Sequence, residues 1–115
     1  MRIMQFCLAG MIGIWASGAL AHSPLKTTQP ADEAVLQEVP REIRFGFQGK
    51  IRLTKVTVTH EDQSGTDLDL SEWDEFLSNY AIPFESDSDG EYLIEWRGLG
   101  TDGHVMNGSF RFSVE

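Results

Sequence analysis

The sequence predicts an all-β domain, a sandwich or small barrel of antiparallel strands, preceded by a cleavable export signal. Three observations lead there. Apolar residues alternate with polar ones at Ile43/Phe45/Phe47, Val56/Val58, Tyr92/Ile94/Trp96 and Phe110/Phe112/Val114, the period of a strand with one buried face. Turn dipeptides punctuate these runs at Gln48-Gly49, Ser64-Gly65, Asp89-Gly90 and Asp102-Gly103. Short strands between such closely spaced turns fit a sandwich or barrel better than a helical or parallel-sheet fold.

Taken in order, residues 1–21 come first and stand apart. Arg2 precedes an almost wholly apolar run from Ile3 to Leu20, broken by Gln5 and Ser17, with Ala19 and Ala21 at its end. A charged start, an apolar middle and small residues before the cut define a secretory signal peptide. The run approaches the ~20 residues of a spanning helix, so an uncleaved anchor is the competing reading. The small residues at its end favour cleavage after Ala21. Residues 22–115 then form a single domain, and nothing in them is long and apolar enough to cross a membrane.

Within that domain one stretch breaks the β pattern. Trp73, Phe76, Leu77 and Tyr80 follow i, i+3, i+4, i+7 spacing, with Ser71 in the N-cap position, which predicts a short helical turn. An extended segment follows around Ile82-Pro83-Phe84, and the aromatic stripe is expected in the core. Glu85 to Gly90 is a polar loop; it lacks the ligand spacing of a calcium loop.

Charge and cysteine usage narrow the function. The whole chain carries nine basic and 18 acidic residues, a net charge of −9. Losing residues 1–21 removes Arg2 and no acid, leaving eight bases against 18 acids, or −10. An acidic surface of this size argues against nucleic acid or anionic lipid as the main partner. The only cysteine, Cys7, lies in the signal segment, so the mature domain has no disulfide, thiolate metal site or cysteine nucleophile. A domain of this length can instead rely on a hydrophobic core. There is no Gly-x-Ser-x-Gly, phosphate loop or His-Glu-x-x-His.

Attention therefore falls on three histidines. Cleavage after Ala21 makes His22 the N-terminal residue. Its α-amine and Nδ1 can close a six-membered ring around one metal ion, a two-nitrogen chelate by covalent geometry. Nitrogen donors of this kind suit Cu(II), which also tops the affinity order of divalent ions. The plain alternative is that His22 merely follows the cleavage site. His104 lies in Thr101-Asp102-Gly103-His104, first of all a turn. Its i, i+2 spacing also lets Asp102 and His104 project to one side and offer a carboxylate and an imidazole to one ion. His60 ends Val56-Thr57-Val58-Thr59 before Glu61-Asp62; an exposed strand end explains it, and it is left out of the site.

Taken together, these residues resemble the CopC copper-resistance family of periplasmic copper-binding proteins. The likeness starts at His22-Ser23-Pro24-Leu25 and Thr28-Gln29-Pro30-Ala31-Asp32, and continues through Pro40-Arg41-Glu42-Ile43-Arg44-Phe45 and Lys55-Val56-Thr57-Val58-Thr59. It ends with Gly90-Glu91-Tyr92-Leu93-Ile94-Glu95-Trp96, Asp102-Gly103-His104 and Gly108-Ser109-Phe110-Arg111-Phe112.

The resemblance implies a small Greek-key β-sandwich or barrel of immunoglobulin-like type, and one Cu(II) per chain. His22 would give amine and imidazole nitrogens, His104 a third nitrogen and Asp102 a longer axial oxygen, an arrangement resembling a histidine brace. It also implies a periplasmic location and a CopD-like inner-membrane copper-transport partner. Some members carry a methionine-rich loop for Cu(I); here the mature chain has only Met106, and one thioether is not such a site. The Ser71–Pro83 stretch matches the family least.

A binding protein, not an enzyme, is the expectation. The competing classes are a copper-dependent redox enzyme using the same brace and a metal-free immunoglobulin-like adhesion module.

Overall fold

The structure, a computed structural model, describes residues 24–115; the signal segment and His22 lie outside the described residues. Seven strands follow one another: β1 (Leu25–Gln29), β2 (Ala34–Leu36), β3 (Glu42–His60), β4 (Thr66–Asp67), β5 (Leu77–Pro83), β6 (Gly90–Gly100) and β7 (Val105–Val114). Their order along the main sheet path is β1-β3-β6-β7-β2, with β4 and β5 both paired to β3. Of these pairings only β3 with β4 and β6 with β7 join strands consecutive in sequence. All pairs are antiparallel except β2 with β7, which is parallel, so the sheet is mixed.

β3 organises the whole. Its 19 residues have two sets of partners. The first half, through Phe47, lies between β1 and β5. The second half, from Ile51, pairs with β6, and near its end with β4. Between them Gln48, Gly49 and Lys50 are exposed, and the register with β5 slips between Gly46 and Ile51. A strand that changes partners through such an irregularity makes the corner of a two-layer fold. The expected turn at Gln48-Gly49 is therefore a bend within one continuous strand.

The bend is pinned from inside. The Tyr80 hydroxyl donates to the Ile51 carbonyl at 2.5 Å and accepts the Leu53 N–H at 3.2 Å, with the Glu75 carbonyl 3.0 Å away. Tyr80 is itself buried on β5. One side chain thus satisfies backbone groups that the corner would otherwise leave unpaired in the interior.

The two layers close on the residues that the alternation marks out. Ile43, Phe45 and Phe47 come from the first half of β3; Val56, Val58, Ile94, Trp96, Phe110 and Phe112 come from the other layer, and all are buried. Rings meet across the gap: Phe45 against Phe110 at 5.8 Å and Phe47 against Trp96 at 5.2 Å, both edge-on, a favoured aromatic geometry.

The predicted helix does not form; the described residues contain no helix. A single turn, closed by Trp73 N–H on the Leu70 carbonyl at 3.0 Å, is what remains of it. Ser71 does not cap it; Asp69 Oδ1 accepts the Ser71 N–H at 2.9 Å instead. From Leu77 the chain joins β3, pairing Tyr80 with Phe45 and Ile82 with Ile43. A short apolar run is ambiguous between the two periods, and an available strand edge decides it. The stripe is accordingly split: Tyr80 is core, Trp73 and Leu77 pack at its margin, and Phe76 is exposed. The Ser64-Gly65 turn also shifts forward to Glu61-Asp62, where Gln63 N–H reaches the His60 carbonyl at 3.0 Å.

The corner predicts a measurable cost. Tyr80→Phe keeps the ring but leaves the buried Leu53 N–H without its acceptor. Denaturant unfolding is expected to show a loss of about 1–3 kcal/mol with the β signature retained. A variant as stable as the parent would mean that the hydroxyl does not hold the bend.

Candidate metal centre

The β6–β7 connection is short and closed by its own backbone. Gly103 N–H donates to the Gly100 carbonyl and Gly100 N–H to the His104 carbonyl, both at 2.9 Å. Gly103 has φ +89°, a conformation that glycine adopts without a Cβ penalty. This is why Gly103 stands between the two side chains of interest.

Asp102 grips His104 with both oxygens. Oδ1 accepts the His104 backbone N–H at 3.0 Å, and Oδ2 lies 2.7 Å from His104 Nδ1. An ionised carboxylate only accepts, so Nδ1 carries the proton and Nε2 of neutral imidazole is the nitrogen with a free lone pair. A carboxylate holding the far nitrogen of a histidine is also how metal-ligating imidazoles are oriented. The structure thus brings two of the three predicted ligands into direct contact.

Electrostatics follow from that contact. The hydrogen bond to Asp102, aided by its charge, raises the His104 pKa above 6.5; the bond from His104 holds Asp102 below 3.8. The histidine contribution to stability is fully present below pH 6.5 and fades as pH rises through the raised value. The aspartate contribution is present above pH 3.8 and fades as pH falls through the lowered one. Both therefore act together in mild acid. Their side chains are 80% and 63% exposed, so solvent screening keeps the pair a minor term in stability. Its effect is on the ring's orientation and proton.

His22, the third predicted ligand, lies outside the described residues. The residues that lead from it are tied down near the hairpin. The Pro24 carbonyl accepts the Gln48 N–H at 2.7 Å, and Leu25 stands opposite Phe47. Three residues past Gln48, Ile51 stands opposite Gly100. Pro24 and the β6–β7 tip therefore flank the same bend of β3.

Among the described residues no group of three or more His, Cys, Asp or Glu converges to hold a metal. The tip supplies one imidazole nitrogen and one carboxylate, a donor set that fits a nitrogen- and oxygen-binding cation and needs further donors from outside the hairpin.

His60 is elsewhere. Its Nε2–H donates to the Asp89 carbonyl at 2.7 Å, and its ring stacks on Tyr92 at 4.5 Å. It is half-buried, not exposed, and strand rise puts it roughly 30 Å along β3 from Ile51. It latches the Glu85–Asp89 loop to the far end of the sheet.

Asp102→Asn keeps an acceptor for the His104 N–H and removes the charge that raises the ring's pKa. An NMR pH titration is expected to show His104 titrating lower in the variant, back towards 6.5. An unchanged midpoint would mean that the pair does not persist in solution.

Comparison with known proteins follows the same lines. Solved structures with this fold include CopC from Methylosinus trichosporium OB3b, with TM-score 0.61 and 19% identity over 82% of this chain and 94% of that one. PcoC, a copper resistance protein from Escherichia coli, aligns with TM-score 0.55 and 21% identity, covering 79% of this chain and 98% of its own. A second PcoC structure, described as methionine rich, gives TM-score 0.54 and 24% identity over 83% of this chain and all of that one. No curated protein gives a significant sequence match. The family model for the CopC domain matches residues 25–115, a span that holds every strand from β1 to β7 and the Asp102–His104 tip, and the chain belongs to that family.

Proposed function

We propose that this chain is a periplasmic copper(II)-binding protein of copper resistance, holding one Cu(II) with His22, Asp102 and His104. The observation that carries the reading is the Asp102–His104 pair: Nδ1 is engaged by a carboxylate and the ring is exposed at a hairpin tip. Membership of the CopC family supports copper as the ion, and the copper resistance proteins that share the fold support the role.

The chemistry divides among the residues. Export and cleavage after Ala21 free the α-amine of His22, which adds two nitrogens in one chelate. His104 offers Nε2, held in aim by Asp102, and each Asp102 oxygen keeps a second lone pair beyond its bond to His104. Protons compete for every one of these donors. The raised proton affinity of His104 makes acid favour copper loss. An exposed site of this kind can pass its ion on by ligand exchange, and a CopD-like membrane transporter is the recipient we propose.

Two outcomes test this. In a Cu(II) titration of the mature protein, His104→Ala is expected to weaken binding by an order of magnitude or more, while His60→Ala has little effect because His60 serves the far loop. Equal losses would sink the assignment.

A mature protein extended to begin Gly-His is expected to bind Cu(II) more weakly and with an altered copper spectrum. The added residue turns the basic amine into an amide whose lone pair is delocalised. The β circular-dichroism signal should be unchanged. Equal affinity and an identical spectrum would remove the amine from the ligand set.

A further inference from the structure

β7 leaves part of one edge open. From Val105 to Val114 it pairs with β6 without a register shift. Peptide groups of successive residues point to opposite sides of a strand, so alternate residues of β7 face away from β6. Arg111 marks the outward set: its N–H donates to Asp32 Oδ1, and its carbonyl accepts the Glu33 N–H. β2 then runs beside Phe112 to Val114. Counting back from Arg111, the outward groups belong to Ser109, Asn107 and Val105. Among the described residues none of these backbone groups has a hydrogen-bond partner. The groove beside Ser109, between β7 and β1, is open and lined by Thr28, Ala31 and Phe110.

This window lacks the usual protection of a strand edge. Exposed edges are blunted by charge, proline, bulges or brevity. Val105 to Phe110 contains no charged residue and no proline, in a chain with a net charge of −9, and its pairing with β6 has no bulge. The other edges are guarded. β1 carries Lys26 and a register shift, β2 and β4 span three residues and two, and β5 ends in Pro83 with a register shift of its own. Val105, at the start of the window, is 60% exposed.

We propose that two copies of this chain pair edge to edge along Val105–Ser109, antiparallel, about a twofold axis through Asn107. The window is its own complement. With Asn107 opposite Asn107 of the second copy, Val105 stands opposite Ser109 and Ser109 opposite Val105. Every outward N–H and carbonyl then gains a partner in a closed, isologous contact. Two acidic molecules meet where neither carries a charge, whereas a foreign strand would find no charge there to recognise. The contact is short, so the pairing is weak and transient. It takes no group from His22, Asp102 or His104 and does not depend on the copper reading.

The test is sedimentation of the mature protein, freed of metal with EDTA, over a range of concentrations. A monomer–dimer equilibrium with a micromolar-to-millimolar dissociation constant is expected. Asn107→Lys sets like charges opposite one another at the axis and is expected to weaken the dimer about fivefold or more. The β circular-dichroism signal should be unchanged. Lysine also lowers the chain's excess of acids, so a merely long-range charge effect would strengthen association instead. Asn107→Cys gives the second arm, because the mature chain has no other cysteine. Opposite residues of a hydrogen-bonded pair lie about 5.5 Å apart at Cα, within the span of a disulfide. Mild oxidation is expected to cross-link Asn107→Cys, and to cross-link Ser109→Cys far less, since Val105 of the other copy stands opposite it.

A protein that sediments as a monomer throughout overturns the proposal and leaves the edge to a strand of another protein. A dimer that Asn107→Lys does not weaken, or that cross-links equally at the two positions, overturns it as well by placing the contact elsewhere.

Discussion

The bend of β3 at Gln48–Lys50 is the constraint on which the rest of this molecule depends. A single strand serves both layers, so the two halves of the core are fixed relative to one another by one stretch of backbone. The cost of such a corner is a set of peptide groups that regular pairing cannot reach, and the Tyr80 hydroxyl meets it from the interior. The same bend gathers Pro24 on one side and the β6–β7 hairpin on the other, through the Gln48 and Ile51 pairings. The bend thus serves the core and also sets where Pro24 and the hairpin stand relative to one another.

Outside the core, charge is used locally. The Glu61–Phe76 segment runs along the edge of the second half of β3, where Asp74 pairs with Arg52 and Asp67 meets both Lys55, at 4.0 Å, and the Thr57 hydroxyl, at 2.6 Å. These contacts are exposed and individually weak; they place the acidic segment beside the basic residues of β3. The C-terminal end of β3 is held differently, by the His60–Tyr92 stack and the hydrogen bonds of Tyr92 to Ser86 and Ser88. Of the two described histidines, His60, among aromatic neighbours, is therefore structural, and His104, left open to solvent, is a candidate ligand.

An ion bound at the hairpin tip would lie at the rim of the fold and not within it. The Asp102–His104 pair needs no support from the core, because its bonds span only two residues and the turn is closed by its own backbone. Such a site can be loaded and emptied without disturbing the packing below. This suits a protein whose proposed task is to hold an ion and release it.

The sequence by itself determined what is local. Period-two alternation placed Ile43, Phe45, Phe47, Ile94, Trp96, Phe110 and Phe112 in the core, and all are buried, because the pleat fixes which face a side chain takes. Asp102 and His104 were legible as a pair for the same reason: an i, i+2 contact across a glycine is built within four residues. The tertiary structure alone decided what depends on distant chain. Gln48-Gly49 has the composition of a turn, yet strands on either side keep it extended as a corner. Trp73 to Tyr80 has helical spacing, but pairing with β3 and hydroxyl partners 27 and 29 residues away make Tyr80 part of a strand. Met106 looked isolated along the chain; only the register of β6 against β7, with glycine at positions 98 and 100, brings it beside Asp102. Local geometry is written in neighbouring residues, whereas partners contributed by another strand exist only once the backbone has been folded to meet them.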